Sequence, residues 1–279
     1  MARIDTLLED ATRQFGASDT PRLDAEVLLA HALRKTRSYL RAFAEEEVEG
    51  TAAQTFALLV ARRAAGEPIA HLTGEREFWS LPLQVSAATL IPRPDTELLV
   101  EQALNQIPAA ADWRIADLGT GSGAIALAIA SERPRCQLVA CDISTAALGV
   151  ARANAQQLGL RNIEYRHSDW CSALADAEEF DLIVSNPPYI RATDPHLEQG
   201  DVRFESRLAL VAGADGLDAI RLILEQAKQH LVSGGCLLIE HGYDQGADVR
   251  KLFTATGYVD AKTLQDNGQN DRLSLARHT

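Results

Sequence analysis

The chain has 279 residues, 46% of them hydrophobic, and a formal net charge of −12 from 39 acidic and 27 basic side chains. This length suggests two domains, and the apolar content supports a substantial core rather than a disordered chain. The negative charge repels nucleic acid at long range, so a duplex-binding enzyme would need a local basic patch.

The cysteines and the apolar runs limit the possible classes further. Cys136, Cys141, Cys171 and Cys236 form no CxxC pair and no zinc-type spacing with histidine, so we expect neither a metal site nor a disulfide framework. No apolar run has the length of a signal-peptide core or of a membrane span. We therefore expect a cytoplasmic protein that does not bind membranes.

Residues 1–74 have helical periodicity only, and we predict a small helical domain there. Apolar residues recur at helical spacing over Ile4–Phe15, and Thr20-Pro21 is typical of a helix start. Thr51 and Gln54 have the spacing of a capping box. Because the segment contains no acid–base pair and no glycine loop, we expect it to recognise a partner rather than to catalyse.

Residues 75–94 interrupt the helical pattern. Phe78-Trp79 and Leu83–Val85 flank Ser80-Leu81-Pro82, which predicts a β-hairpin linker with its turn at that tripeptide. A helix then begins at Asp95-Thr96-Glu97.

Residues 95–279 alternate between strand and helix patterns. This alternation is typical of an α/β fold with a mostly parallel sheet covered by helices, whose ligands bind at the carboxyl ends of the strands. The predicted strands are Trp113–Leu118, Gln137–Asp142, Ile163–His167, Phe180–Ser185 and Cys236–Glu240, followed by a hairpin of Val259–Leu264 and Arg272–Ala276. The predicted helices are Ala124–Ser131, Ser144–Leu158, Leu217–Leu231 and Gln245–Ala255.

A glycine-rich loop follows the first of these strands. Its glycines let the backbone turn tightly and approach a ligand, and the next helix presents unpaired N–H groups there. Thr120 and Ser122 either line the loop or cap the helix. We expect the cofactor to contact Gly119, Thr120, Gly121, Ser122 and Gly123.

Acidic and aromatic residues follow the next two strands. Asp142 is placed to bind both ribose hydroxyls of a nucleoside. Asp169 can accept an amino hydrogen, and Trp170 can cover an adenine face. The glycine pattern also fits NAD, but an acid directly before it, Asp117, suits a positively charged sulfonium. We therefore favour S-adenosylmethionine over NAD.

The fourth strand ends in Asn186-Pro187-Pro188-Tyr189. Proline cannot continue a central ladder, so the strand stops there. The prolines offer carbonyl groups without N–H donors, and the tyrosine offers a flat ring. Such a group can bind a planar, doubly protonated nitrogen, either of a carboxamide or of an adenine amino group.

Together these features resemble class I S-adenosylmethionine-dependent methyltransferases, specifically the protein-glutamine N5-methyltransferases that act on peptide chain release factors. The resemblance covers nearly the whole chain. Its most specific part is the segment 91–97 together with the helical N-terminal domain, since glycine loops are widespread and Asn-Pro-Pro-Tyr is shared with adenine-N6 enzymes. It also includes Gly66–Ala70 and Glu205–Gly216. The resemblance implies a Rossmann-like methyltransferase domain with a mostly parallel seven-stranded sheet, preceded by the helical domain and the hairpin.

The resemblance also implies residue roles. The methyl group of S-adenosylmethionine would be transferred to the glutamine side chain of a Gly-Gly-Gln motif, with a release factor as protein partner. Asn186 and Pro187 would each accept one N–H of that amide, and Tyr189 would pack against the substrate. The expected catalytic residues are Asn186, Pro187 and Tyr189, and the expected substrate-binding residues are these three with Pro188. Asn186 is also expected at the cofactor, with the glycine loop, Asp142, Asp169 and Trp170.

Three alternatives stay open at this point. A glutamine methyltransferase of a ribosomal protein would carry the same catalytic motif. An adenine-N6 methyltransferase fits the tetrapeptide, but the net charge and the lack of a base-recognition domain disfavour it, so we expect no direct nucleic acid contact. A docking module with a methyltransferase fold would need neither motif intact. We expect a monomer.

Four further residues have open roles in the sequence. Arg93 and Glu97 either contact the substrate or form an ion pair and a helix cap. His167 and His241 are expected in core packing or in loop hydrogen bonds.

Overall fold

The computed structural model describes residues 2–16 and 18–279. Met1 and Ala17, which the predicted domain 1–74 includes, lie outside the described residues. Two units are distinguished by their internal contacts. The first consists of the chain up to Glu75 with His196–Phe204, and the second of Arg76–Pro195 with Glu205–Thr279.

The first unit is mainly helical, as its periodicity predicts. Apolar side chains spaced along the helices, among them Leu28, Leu29 and Phe56, meet in one buried cluster. A short antiparallel ladder between Ala2–Arg3 and Glu47–Val48 was not predicted, because two residues are too few to show strand periodicity. The elements are β1 (Ala2–Arg3), α1 (Ile4–Gln14), α2 (Pro21–Leu33), α3 (Arg37–Ala42), β2 (Glu47–Val48), α4 (Gly50–Ala64) and α5 (Ile69–Thr73).

Two predicted helix starts need correction. Helix α4 begins at Gly50, so Thr51 lies inside the helix, and the predicted capping box with Gln54 is wrong. Thr20 does precede α2, with Pro21 in the first turn, but its hydroxyl donates to the Asp24 carboxylate at 3.3 Å rather than capping the backbone. Spacing alone does not reveal which partner a hydroxyl selects.

The hairpin consists of β3 (Glu75–Phe78) and β4 (Leu81–Gln84). Its turn lies at Trp79-Ser80, one position before the predicted tripeptide, and both residues have positive φ, 52° and 59°. Positive φ at both positions defines the two-residue turn whose twist matches the flanking strands. The Trp79 N–H donates to the Glu97 carboxylate at 2.9 Å, which helps hold a bulky residue in this conformation.

The second unit contains the predicted α/β fold, with seven strands in one sheet. Strands β5 to β9 pair with one another in parallel, and β11 is antiparallel to both β9 and β10. The strands are β5 (Arg114–Leu118), β6 (Gln137–Asp142), β7 (Ile163–His167), β8 (Phe180–Ser185), β9 (Leu231–Glu240), β10 (Val259–Gln265) and β11 (Asp271–Arg277). Their order across the sheet is β10-β11-β9-β8-β5-β6-β7.

Helices pack on the sheet and bury both of its faces. Leu182 and Val184 of β8 belong to one apolar cluster and Ile183 to the other, as the alternation of side chains along a strand requires. No helix within residues 2–16 and 18–279 is long and apolar enough to cross a membrane. The helices are α6 (Glu97–Gln106), α7 (Ala124–Glu132), α8 (Thr145–Leu158), α9 (Asp218–Ala227) and α10 (Gly246–Ala255). Short 3-10 turns occur at Pro94–Thr96, Pro195–Glu198, Val202–Phe204, Arg207–Ala209 and Lys228–His230.

One predicted boundary in this unit is wrong. The helix expected over Leu217–Leu231 ends at Ala227, and Leu231 instead begins β9. Leu231 pairs with Phe180 of β8, and the register between the strands shifts before Leu182. The apolar residue that completed the helical pattern is therefore a strand residue, because its pairing partner lies far away in the sequence.

The buried Asn154 joins three parts of the second unit. Its Oδ1 accepts the Gln84 N–H at 2.7 Å, and its Nδ2 donates to the carbonyls of Gln84 at 3.0 Å and Ser122 at 2.9 Å. Strand β4 of the hairpin, helix α8 and the glycine loop are thereby tied together by one side-chain amide.

We predict that Asn154→Ala lowers the free energy of unfolding by about 2 kcal/mol, because the N–H and carbonyls it binds lose their partner in a buried site. Urea denaturation measures the change. Gln157→Ala is the matched control, since the exposed Gln157 also contacts Gln84 but only through its side chain, and its cost should stay below about 0.5 kcal/mol. Equal losses in the two variants would contradict the assignment.

Candidate active site

A cavity of about 470 Å³ lies at the carboxyl ends of the central parallel strands. Its wall includes Gly119 after β5, Asp142 at the end of β6, Ser168 after β7 and Asn186 after β8. This is the edge at which ligands of open α/β sheets bind. The volume lies within the roughly 300–1000 Å³ of small-molecule sites.

The glycine loop has the backbone conformation that only glycine adopts readily. Gly119, Gly121 and Gly123 have φ of 75°, 57° and 85°. A Cβ on Gly119 would lie 3.2 Å from the Trp170 ring, so this position also requires a residue without a side chain. The Asp142 carboxylate accepts the Gly121 N–H at 2.8 Å, which holds the loop against the end of β6.

Asp169 and Trp170 lie in the same wall, on a turn stabilised by serines. The Ser168 hydroxyl donates to the Trp170 carbonyl at 2.7 Å, and the Asp169 N–H donates to the Ser172 hydroxyl at 3.1 Å. Trp170 has a φ of 51°, which directs its indole ring toward Gly119. The structure therefore brings the acid and the aromatic ring together with the glycine loop.

Thr120 and Ser122 also line the cavity, and Thr120 connects the loop to a buried acid. The Thr120 hydroxyl donates to Asp117 Oδ2 at 2.6 Å, and the Ala126 N–H donates to the same oxygen at 3.2 Å. Burial raises the pKa of Asp117 to about 7, and the charge of Asp142 adds to this effect. Asp117 Oδ1 has no hydrogen-bond partner within the described part of the chain.

Asn186 lies beside the glycine loop because β5 and β8 are neighbours. Their paired residues run in register up to Leu118 and Ser185, and the Ser185 hydroxyl donates to the Leu118 carbonyl at 2.7 Å. Asn186 and Pro188 line the cavity, whereas Pro187 and Tyr189 do not.

Tyr189 points into the protein. Its hydroxyl donates to Glu240 Oε1 at 3.2 Å, and burial together with the Glu240 charge raises the tyrosine pKa. Glu240 itself is buried, and burial raises its pKa to about 7, while Thr96, Arg272 and Tyr189 favour its charged form. Its Oε2 has no hydrogen-bond partner in residues 2–16 and 18–279.

Our sequence reasoning missed Thr96, which belongs to the site, and Glu240, a buried acid that contacts Tyr189 of the tetrapeptide. Asn186 Nδ2 donates to the Thr96 hydroxyl at 3.1 Å, and Thr96 lines the cavity. Two signals were present: Thr96 belongs to the segment 91–97, and Glu240 is an acid at the end of a predicted central strand.

Arg93 and Glu97 each have a partner within the second unit. Arg93 lies in the cavity wall and forms an ion pair with the buried Glu205, whose other oxygen accepts the Ile91 N–H at 3.0 Å. Glu97 binds the backbone of Trp79 in the hairpin.

The two histidines take the expected structural positions. His167 Nε2 lies 2.8 Å from the Ile143 carbonyl. His241 is buried with Nε2 at 2.8 Å from the Ser274 hydroxyl, and burial lowers its pKa. Neither histidine lines the cavity.

The charges of the cavity wall fit a cationic nucleoside. Asp142, Asp169 and Asp218 lie in the wall, and Arg93, which also lies there, is neutralised by Glu205. A pyrophosphate would meet mainly like charge in this wall, whereas a sulfonium and ribose hydroxyls would meet carboxylates. The residues present therefore fit S-adenosylmethionine better than NAD.

Comparisons with known proteins agree with this geometry. Residues 6–74 match the PrmC N-terminal domain and residues 94–201 the methyltransferase small domain. The structure of the T. thermophilus 16S rRNA N2 G1207 methyltransferase in complex with AdoMet and guanosine shares the fold, with a TM-score of 0.54 at 18% identity, over 74% of this chain and 50% of that chain. The Rossmann-like methyltransferase fold is thereby confirmed.

Curated relatives match over nearly the full length. The release factor glutamine methyltransferase of Escherichia coli (strain K12) is 54% identical over 271 residues, which cover 97% of each chain. That of Vibrio cholerae serotype O1 is 51% identical over 277 residues, 99% of this chain and 96% of the relative. The chain is an S-adenosylmethionine-dependent methyltransferase. At this identity and coverage, it belongs to the family of release factor glutamine methyltransferases.

Proposed function

We propose that this enzyme methylates the side-chain amide nitrogen of the glutamine in a Gly-Gly-Gln motif of peptide chain release factors. The observation that carries the proposal is the position of Asn186, which lies in the wall of the cofactor cavity next to the glycine loop. The name shared by relatives at 51–54% identity supports the choice of a release factor.

We assign cofactor binding to the part of the cavity wall at the carboxyl ends of β5, β6 and β7. Asp142 binds the ribose hydroxyls, Asp169 accepts an amino hydrogen and Trp170 covers the adenine. Support comes from the acidic wall and from the short approach of Trp170 to Gly119. The backbone of the loop, Gly119, Thr120, Gly121, Ser122 and Gly123, supplies the close contacts.

The chemical problem is that an amide nitrogen is a poor nucleophile, since its lone pair is delocalised into the carbonyl. S-adenosylmethionine supplies an electrophilic methyl group on a sulfonium. In our proposal Asn186 Oδ1 and the Pro187 main-chain carbonyl each accept one N–H of the substrate amide, and Asn186 also borders the cofactor. These two acceptors fix the nitrogen so that its lone pair faces the reacting carbon.

Positioning of this kind can lower a barrier by roughly 7–11 kcal/mol at best. Both acceptors also stabilise the positive charge that develops on the nitrogen, in a site preorganised for it. One amide proton leaves after the nitrogen has reacted. Pro188 borders the space for the glutamine side chain, and Tyr189, whose hydroxyl donates to Glu240, supports the tetrapeptide from outside the cavity wall.

We also propose that the helical domain of residues 1–74 recognises the protein substrate, with the hairpin 75–94 as the linker to a methyltransferase domain over 95–279. The enzyme acts as a monomer in the cytoplasm, without direct contact to nucleic acid or membranes. The net charge of −12 supports a protein rather than a nucleic acid substrate. One chain supplies both Asn186 and the proposed cofactor residues of the cavity wall, which supports a monomer.

The substrate is tested by incubating the protein with S-adenosylmethionine labelled in the methyl group and one of three acceptors: a release factor, a ribosomal protein extract, or DNA. We expect label in the release factor, and none when its motif glutamine is replaced by alanine. Label in a ribosomal protein or in DNA instead would overturn the proposal in favour of one of the alternatives.

We predict that Asn186→Ala lowers kcat on the release factor by 100-fold or more, on the order of what removing one preorganised polar contact costs. Cofactor affinity should change by less than about threefold, because most of the proposed cofactor contacts remain. Single-turnover kinetics and calorimetry measure the two quantities. A variant with near-normal turnover would refute the role of Asn186 as acceptor.

Asp142→Ala should have the opposite profile. Loss of the carboxylate removes the proposed ribose contacts and the bond to the Gly121 N–H, so the Kd for S-adenosylmethionine should rise by about 10- to 100-fold. At saturating cofactor, kcat should recover to within a few-fold of the unchanged protein. Unchanged affinity by calorimetry would exclude Asp142 from the cofactor site.

A further inference from the structure

The Thr96 hydroxyl accepts a hydrogen bond from Asn186, and its own proton must go elsewhere. Asn186 Nδ2 donates to Thr96 Oγ1 at 3.1 Å, and Thr96 is buried. A hydroxyl has one proton to donate and can accept as well. A buried donor without an acceptor is costly, so a neighbouring group is expected to accept this proton.

The carboxyl of Glu240 is the acceptor that the structure offers. It is buried next to Thr96, whose hydrogen bonding favours the charged form of Glu240. Its Oε1 accepts the Tyr189 hydroxyl, and its Oε2 has no hydrogen-bond partner among the described residues. A buried acceptor without a partner therefore lies beside a buried donor whose proton is uncommitted.

The direction of the Thr96 proton decides which end of the Asn186 amide faces the cavity. The oxygen and nitrogen ends of this amide are nearly equal in size, and only their hydrogen bonds distinguish them. With its proton directed at Glu240, Thr96 can only accept, so it selects Nδ2 and leaves Oδ1 for the cavity. With the proton directed at Asn186, the amide would turn and present an N–H, which cannot bind a substrate N–H.

We propose that Thr96 and Glu240 are positioning residues that keep the Asn186 amide oxygen facing the substrate. This inference rests on the proposed function, in which Oδ1 accepts an N–H of the glutamine. The structure shows Asn186 donating to Thr96 and Tyr189 donating to Glu240 Oε1, and in this proposal the Thr96 proton is directed at the unpartnered Glu240 Oε2. Within the Asn-Pro-Pro-Tyr motif, the first and last residues are thus linked through two residues outside it.

The charged neighbours of Glu240 are compatible with a carboxylate acceptor. Arg272 lowers the pKa of Glu240, and Asp95 raises it, while burial is the larger effect. Arg272 itself pairs with Asp95 at 3.5 Å and with Asp266 at 3.3 Å. Glu240 is therefore a carboxylate, able to accept both hydroxyl protons, above a pH of about 7, and the charge of Arg272 favours this form.

The central test compares Thr96→Val, which removes the hydroxyl at constant volume, with Thr96→Ser, which retains it. We expect Thr96→Val to lower kcat by about 10- to 100-fold, as a misplaced catalytic contact does, with the cofactor Kd within about twofold. Thr96→Ser should recover kcat to within about threefold. Thr256→Val is the matched control, because its half-buried hydroxyl binds only the carbonyls of Leu252 and Phe253 in α10, and kcat should not change.

A double-mutant cycle separates positioning from simple stabilisation. In Asn186→Asp both ends of the side chain are oxygens, so its orientation no longer needs control, and adding Thr96→Val should lower the residual kcat by less than about twofold. Glu240→Gln keeps the volume of the acid but can accept only at one end, and it should also lower kcat without weakening cofactor binding. Glu240→Gln therefore tests the positioning role even if Thr96→Val does not fold.

The inference and the proposed function fail in different ways. If Asn186→Ala retains turnover, the proposed role of Asn186 as acceptor of the substrate amide is refuted. If Asn186→Ala loses turnover but Thr96→Val and Glu240→Gln do not, only the positioning role falls. Equal losses from Thr96→Val in the native and Asn186→Asp backgrounds, or no recovery in Thr96→Ser, would also overturn the positioning role.

Discussion

The arrangement of the active site depends on the register between two neighbouring parallel strands. β5 and β8 pair up to Leu118 and Ser185, where the serine hydroxyl donates to the leucine carbonyl at 2.7 Å. The next residue of each strand therefore emerges at the same edge, which places Asn186 beside the glycine loop. A slip of one residue would turn every side chain of β8 to the opposite face and move Asn186 away from the cavity. The prolines after Asn186 end the strand at this point, so the register also fixes where the backbone carbonyls become available.

The segment 91–97 connects the parts that surround this edge. Arg93 and the backbone of Ile91 bind the buried Glu205. Thr96 accepts a hydrogen bond from Asn186, and Glu97 accepts the backbone N–H of Trp79 in the hairpin. One short stretch thus links the hairpin, the acceptor and the segment that begins at Glu205. Contacts of this kind give the proline-rich segment 91–97 a structural role, because it positions groups that lie on three different elements.

The sequence was sufficient for the features that depend on local patterns. Alternating strands and helices indicated the sheet, and the residues that follow β5, β6, β7 and β8 indicated the cavity edge, because parallel strands all end on one side. The sequence was insufficient where a contact joins distant positions. Asn186 and Thr96 are 90 residues apart, and Tyr189 and Glu240 are 51 apart, so no periodicity reveals that the tyrosine turns inward or that a threonine receives the amide. The extension of β9 to Leu231 was missed for the same reason, since its partner Phe180 lies on another strand.

The proposed mechanism requires that Asn186 Oδ1 and the Pro187 carbonyl together bind the amide of the substrate glutamine. A crystal structure of the enzyme with a demethylated cofactor product and a Gly-Gly-Gln peptide tests it most directly. We expect the glutamine nitrogen to lie within about 3.2 Å of both oxygens, the normal length of an N–H···O hydrogen bond. A complex in which the glutamine nitrogen contacts neither oxygen, or in which Asn186 presents its Nδ2 to the substrate, would refute this mechanism.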